Sequence, residues 1–146
     1  MPQSYDHPDL QFLYPDNWKL TSTPEEMGPH SVYLQAPSGA FWSADLHYGR
    51  YDSQVLAAEV LNSMKGEYTD LEFDSISVEI AGHAAEGYEI NFYCLDLIVT
   101  SRVLAFRHEK GTLTIQFQAE NREFDELEAV FLAICTSLFL ESNADS

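Results

Sequence analysis

Apolar and polar residues alternate through most of this chain, and in two stretches the alternation gives way to helical spacing. Leu10 to Tyr14 reads as a short strand that Pro15-Asp16-Asn17 interrupts, and Trp18 to Leu20 resumes an extended path. Thr21 to His30 carries two prolines, a glycine and two glutamates, and reads as a loop. Ser31 to Gln35 and Ala40 to Tyr48 form a hairpin about Ala36-Pro37-Ser38-Gly39. In its second arm, alternation sets Trp42, Ala44, Leu46 and Tyr48 on one face and Phe41, Ser43, Asp45 and His47 on the other.

Leu56, Val60 and Met64 then recur at helical spacing beside Val55 and Leu61, with Asp52 or Ser53 as the cap and Gly66 as the stop. Leu71 to Ile80 reads as a strand, and Glu86 to Leu95, Leu97 to His108 and Thr112 to Ala119 as three more in series. Taken as a three-residue loop with a left-handed glycine, Glu109-Lys110-Gly111 pairs His108 with Thr112. That register sets Phe106 opposite Thr114, Leu104 opposite Gln116 and Arg102 opposite Gln118. The tight turn at Leu95-Asp96 pairs Phe92 with Val99, Tyr88 with Val103 and Glu89 with Arg102.

Together the two registers gather Glu89, Asn91, Tyr93, Arg102, Gln116 and Gln118 on one sheet face, with Glu89 and Arg102 as a cross-strand ion pair. This is the candidate binding patch, suited to a ligand or a peptide tail. The last element starts at Glu123 or Asp125, and Phe124, Leu127, Phe131, Ile134 and Leu138 form its apolar stripe, widened by Val130 and Leu132. The expected class is α+β: one domain over residues 1–146, with an antiparallel sheet of about six strands flanked by two main helices.

The run Phe12-Leu13-Tyr14-Pro15-Asp16-Asn17-Trp18 resembles the aromatic-x-Tyr-Pro-x-x-Trp opening of PsbP-like proteins. The order of elements, from hairpin through helix and long meander to a closing helix at Ser137-Leu138-Phe139, is similar as well. That superfamily joins the PsbP proteins of photosystem II, the Mog-type proteins that bind the Ran GTPase, and bacterial DcrB-like proteins. The resemblance implies an α/β/α sandwich around an antiparallel sheet, and a class of mostly non-catalytic proteins that bind other proteins. No stretch here matches a Ran-binding acidic loop or the targeting peptide of a lumenal photosystem protein.

Charge narrows the partners. Seven Lys and Arg stand against 24 Asp and Glu, a formal charge of −17. The cations are scattered (Lys19, Arg50, Lys65, Arg102, Arg107, Lys110, Arg122), which argues against nucleic acid and against anionic membranes. The same excess steers a basic or amphipathic protein partner inward. With 45% hydrophobic and 13% aromatic residues the chain still has ample material for a core. Met1 to Leu10 lacks a basic and an apolar leader segment, and this makes an intracellular, cytoplasmic protein the expectation. Cys94 and Cys135 lie in apolar contexts without ligand spacing and read as buried thiols, with a disulfide between them left open.

Candidate chemistry is sparse. Nucleophile elbows, phosphate loops and dinucleotide fingerprints do not occur, and no two of the five histidines stand at metal-binding spacing. Asp45 and His47 point the same way and could be half of a metal site, or a base with its orienting partner. Phe41, Trp42, Tyr48 and Tyr51, with Tyr33 nearby, are mostly core, and any exposed among them would mark an interface. The leading expectation is therefore a non-enzymatic interaction, adaptor or chaperone-like module with an acidic surface, with no catalytic residues, cofactor or metal. Two alternatives stand beside it: a small-ligand binder with a pocket between sheet and helix, and an enzyme assembled from dispersed residues such as Asp45, His47 and Arg102. A homodimer through a helix or an exposed sheet edge is the expected assembly.

Overall fold

The computed structural model describes residues 2–22 and 30–144. Among the described residues nine strands and two helices follow in the order β1 (Gln3–Asp6), β2 (Gln11–Tyr14), β3 (Lys19–Ser22), β4 (His30–Gln35), β5 (Phe41–Tyr48), α1 (Ser53–Glu67), β6 (Glu72–Ile80), β7 (His83–Cys94), β8 (Leu97–His108), β9 (Gly111–Glu120) and α2 (Asn121–Ala144). Seven strands form one antiparallel sheet in the order β3-β4-β5-β9-β8-β7-β6, and β1 pairs with β2 apart from it. The sheet is larger than the six strands expected, because Trp18–Leu20 continues into a true edge strand. The loop expected over Thr21 to His30 is bounded by strand at Thr21, Ser22 and His30, and its remaining residues lie outside the described ones.

A helix covers each face. Ala57, Leu61 and Met64 of α1 pack on Ile90, Phe92, Val103 and Ala105. Asp52 caps this helix, its Oδ1 accepting from the backbone N–H of Gln54 at 2.8 Å. The helix runs through Gly66 to Glu67, one residue past the expected stop. On the opposite face, Phe124, Phe131, Ile134 and Leu138 of α2 join Trp42, Leu34, Leu104, Phe106, Ile115 and Phe117 in the larger core. Helix α2 begins two residues before Glu123, because the Glu120 carboxylate accepts from the backbone N–H groups of Arg122 and Glu123 at 3.1 and 3.3 Å. The stripe of five apolar residues faces the sheet as its periodicity requires. Trp18, the last residue of the Tyr-Pro-x-x-Trp run, is buried edge-on against Phe131, so the run plugs the sheet's side of α2.

One register departs from expectation. The β7–β8 pairing is the expected one, with Glu89 opposite Arg102, Tyr88 opposite Val103 and Phe92 opposite Val99. Between β8 and β9, however, Glu109-Lys110 is a two-residue turn, so His108 pairs with Gly111 and Arg107 with Thr112. Arg102 is therefore opposite Phe117, not Gln118, and every β9 side chain changes face relative to β8. Gly111 does not adopt a left-handed conformation. It is small because it is sandwiched in the sheet: a Cβ there would sit 2.1 Å from the carbonyl oxygen of His47.

Candidate functional site

The slip in register divides the six-residue patch. Glu89, Asn91, Tyr93 and Arg102 stay together on the face that α2 covers, whereas Gln116 and Gln118 face α1. Gln116 donates from Nε2 to Ser101 Oγ at 2.9 Å, a bond internal to the α1 side. Arg102, with its side chain only 13% exposed, donates to Glu89 Oε1 at 2.7 Å and meets Glu128 Oε2 of α2 at 2.9 Å. Its guanidinium also lies over the rings of Phe117 and Phe124, 5.7 and 5.2 Å from their centroids. Arg102 thus clamps the first turns of α2 to the sheet. Next to it, Thr100 donates to Asn91 Oδ1 and contacts Asn121 Oδ1, at 2.8 and 3.1 Å, tying down the start of the helix.

Beyond the start of α2 the β7–β8 hairpin projects uncovered. Helix α1 stops at Glu67, and its C-terminal cap residue Tyr68 lies tilted against Phe92 with centroids 4.1 Å apart, so among the described residues no helix lies over the hairpin past Phe92. Tyr93 and Ile98 pair across the hairpin on the α2 side, Cys94 and Leu97 pair on the other, and Leu95 stands at the tip. All are exposed, Leu95 to 93%. Cys94 is therefore not the buried thiol expected: its apolar neighbours belong to a protruding tip, not a core. Leu95 also holds φ at 57°, a left-handed conformation that costs a leucine on the order of 1 kcal/mol. A strained, exposed leucine among exposed apolar neighbours is the reverse of what stability alone would select.

Carboxylates adjoin this tip. Asp74 lies directly across from Glu89 in the β6–β7 register, Glu72 across from Asn91, and Glu128 completes the group around Arg102. Two of these carboxylates, Glu89 and Glu128, hold the Arg102 guanidinium, and Asp74 and Glu72 extend the acidic face along β6.

The remaining sequence candidates do not come together. Asp45 and His47 share a face as alternation required, and line a cleft of about 300 Å³ with Glu59, Ser63 and Thr114 beneath α1. His47 Nε2 is 3.2 Å from Thr114 Oγ1, and Asp45 accepts from Ser31 Oγ. Arg102 is on the opposite face of the sheet, so the dispersed trio forms no single site. The cleft lies between sheet and helix, as the small-ligand alternative requires, at the smallest size for a ligand pocket. Among the described residues no three His, Cys, Asp or Glu side chains converge as metal ligands.

The aromatics of the second hairpin also split. Trp42 is wholly buried against Phe12 and donates to the Cys135 sulfur at 3.4 Å, while Tyr33, Tyr48 and Tyr51 are exposed at separate places. Cys135 is buried as expected, burial pushing its thiol up to about 12, and both cysteines are free.

The architecture is that of the PsbP-like α/β/α sandwich: an antiparallel sheet with one helix on each face. The chain is similar in structure to the cyanobacterial PsbP protein (CyanoP) of Synechocystis sp. PCC 6803, with a TM-score of 0.64, 14% identity, and coverage of 93% of this chain and 90% of that one. It is also similar to PA94 of Pseudomonas aeruginosa, a protein of unknown function, with a TM-score of 0.51, 12% identity, and coverage of 94% and 95%. No protein-family model and no curated protein matches the sequence. At these identities the likeness defines the fold. Among the described residues no helix is long and apolar enough to cross a membrane.

Proposed function

We propose that this chain is a non-enzymatic interaction module that receives a basic, amphipathic segment of a partner protein at the β7–β8 hairpin. The observation that carries this reading is the junction of an exposed apolar tip (Tyr93, Leu95, Leu97, Ile98) with the carboxylates Glu72, Asp74, Glu89 and Glu128. An amphipathic cation-rich segment matches both halves: apolar residues seat against the tip, and Lys or Arg meet the carboxylates. The overall charge of −17 adds long-range attraction for such a segment. The separation of Asp45 and His47 from Arg102 by the sheet supports the non-enzymatic half of the reading.

The test is a titration with a synthetic amphipathic Lys/Leu peptide and its Glu/Leu counterpart, followed by fluorescence anisotropy. The expected result is binding of the Lys/Leu peptide alone, weakening several-fold between about 50 mM and about 500 mM salt. Leu95→Asp and Asp74→Lys each reduce it. Equal binding of both peptides, or indifference to both substitutions, rejects the reading.

A further inference from the structure

We infer that β6 is an acceptor edge, onto which a cationic extended segment of the partner adds as a further antiparallel strand. This rests on the reading above and specifies how the partner's backbone is held. Strand β6 ends the seven-stranded sheet and is nine residues long, whereas the opposite edge, β3, has four. It pairs with β7 one to one from Glu72 to Ile80, without a bulge. Among the described residues no strand lies along its outer side.

The outward groups follow from the turn. Ala81 and Gly82, with φ of 51° and 82°, form a two-residue turn that makes Ile80 and His83 a hydrogen-bonded pair. Bonded and non-bonded pairs alternate from there, so the N–H and C=O groups of Phe73, Ser75, Ser77 and Glu79 point away from β7. Natural sheets blunt such an edge with charged side chains, proline, a bulge or brevity, and of these β6 has only charges. Its charges are all acidic: Glu72, Asp74 and Glu79. Two copies carrying −17 each would repel along this strip, while a cationic strand is attracted to it.

The surroundings fit an added strand. On the α1 side, Ser75 and Ser77 form a groove of about 460 Å³ with Ala57, Gly87 and Tyr88, and small side chains leave it open. Glu86 lines the same groove, its carboxylate held by Ser53 at 3.0 Å and Gln54 at 2.9 Å. On the α2 side, Glu72 and Asp74 are followed by the partly buried Ile76 and Val78. An antiparallel occupant therefore carries apolar residues opposite Val78 and Ile76, cations opposite Asp74 and Glu72, and small hydroxyl residues on the groove side.

The probe is the capped peptide Val-Thr-Val-Ser-Lys-Thr-Lys, compared with the same peptide N-methylated at Thr and Ser. The expected result is at least tenfold tighter binding of the unmodified peptide. The amides of Phe73, Ser75, Ser77 and Glu79 should slow at least tenfold in hydrogen exchange at saturation. Ser77→Pro, which removes an outward N–H that β7 does not use, should weaken binding by a similar factor. If that variant does not fold, the methylated peptide on the wild type decides.

Equal affinity for the two peptides overturns strand addition. If that equal binding still falls with salt and with Asp74→Lys, charge docking stands without it. Salt-independent binding of the unmodified peptide, or no binding of it, rejects strand addition and counts against charge docking as well. Protection of the four amides that rises with protein concentration alone assigns the edge to a second copy and likewise overturns the proposal.

Discussion

Arg102 joins a sheet face to a helix through two different interactions, and three substitutions separate them. Arg102→Met keeps an apolar side chain at this position but removes the guanidinium, and with it both ion pairs and the cation over Phe117 and Phe124. The partner carboxylates are 35% and 44% exposed, so each pair is discounted for solvent to about 0.7 kcal/mol, or about 1.5 kcal/mol together. The cation over two rings adds about 0.7 kcal/mol for each, a total near 3 kcal/mol, and Arg102→Ala loses in addition the packing of the long side chain, about 1 kcal/mol more. Arg102→Lys keeps the charge but not the planar fork and loses least of the three. Urea unfolding measures the series: the midpoint should fall in the order Lys, Met, Ala with an unchanged m value, and the Met deficit should shrink in high salt. Equal midpoints for Met and Ala, or a total loss below about 0.5 kcal/mol, would refute the clamp.

Other perturbations give equally definite outcomes. A thiol reagent should modify one cysteine per native chain, the exposed Cys94, and two after unfolding. Cys135, raised by burial from 9.0 to about 12, keeps its proton when folded, so stability falls as pH rises above 9; Cys135→Val should abolish that loss. His108 is lowered, chiefly by burial and against Glu109 and Asp9, and its Nε2 is buried without a hydrogen-bond partner. The unfolded chain therefore takes up the proton first as pH falls through the ordinary histidine range. Stability should drop toward pH 5, less steeply in His108→Gln, as acid titration followed by circular dichroism will show. Gly87→Ala places a Cβ 1.8 Å from the Val103 carbonyl oxygen, and thermal unfolding should report a loss of about 3 kcal/mol.

The sequence carried the layers of this fold better than the detail of the site. Strand β5 and helix α2 each bury one side, so alternation in the first and helical spacing in the second point their apolar residues correctly. The β7–β8 register was legible because the Leu95-Asp96 turn admits one pairing. The β8–β9 register was not, because Val103, Leu104, Ala105 and Phe106 are all buried. A strand buried on both faces loses nothing in pattern when its partner slips by one residue. That slip moved Gln116 and Gln118 to the other side and set Phe117 beneath Arg102. Gly111 misled for a related reason, since closeness to the His47 backbone leaves the same glycine as a left-handed turn would. Strand β1 is polar and mostly exposed, so its hydrophobic pattern carried no signal. Cys94, in its apolar context, read as a buried thiol, and only the end of α1 at Glu67 shows why its hairpin protrudes.

Backbone amide chemical shifts, recorded while a Lys/Leu amphipathic peptide is added to the isotope-labelled protein, bear most directly on the proposed interface. The account predicts perturbations concentrated at residues 72–74, 89–98 and 128. Shifts centred instead on the groove of about 880 Å³ that Leu13, Tyr14 and Pro15 form with Ala129, Val130 and Ala133 of α2, or spread evenly over every acidic surface, would contradict it.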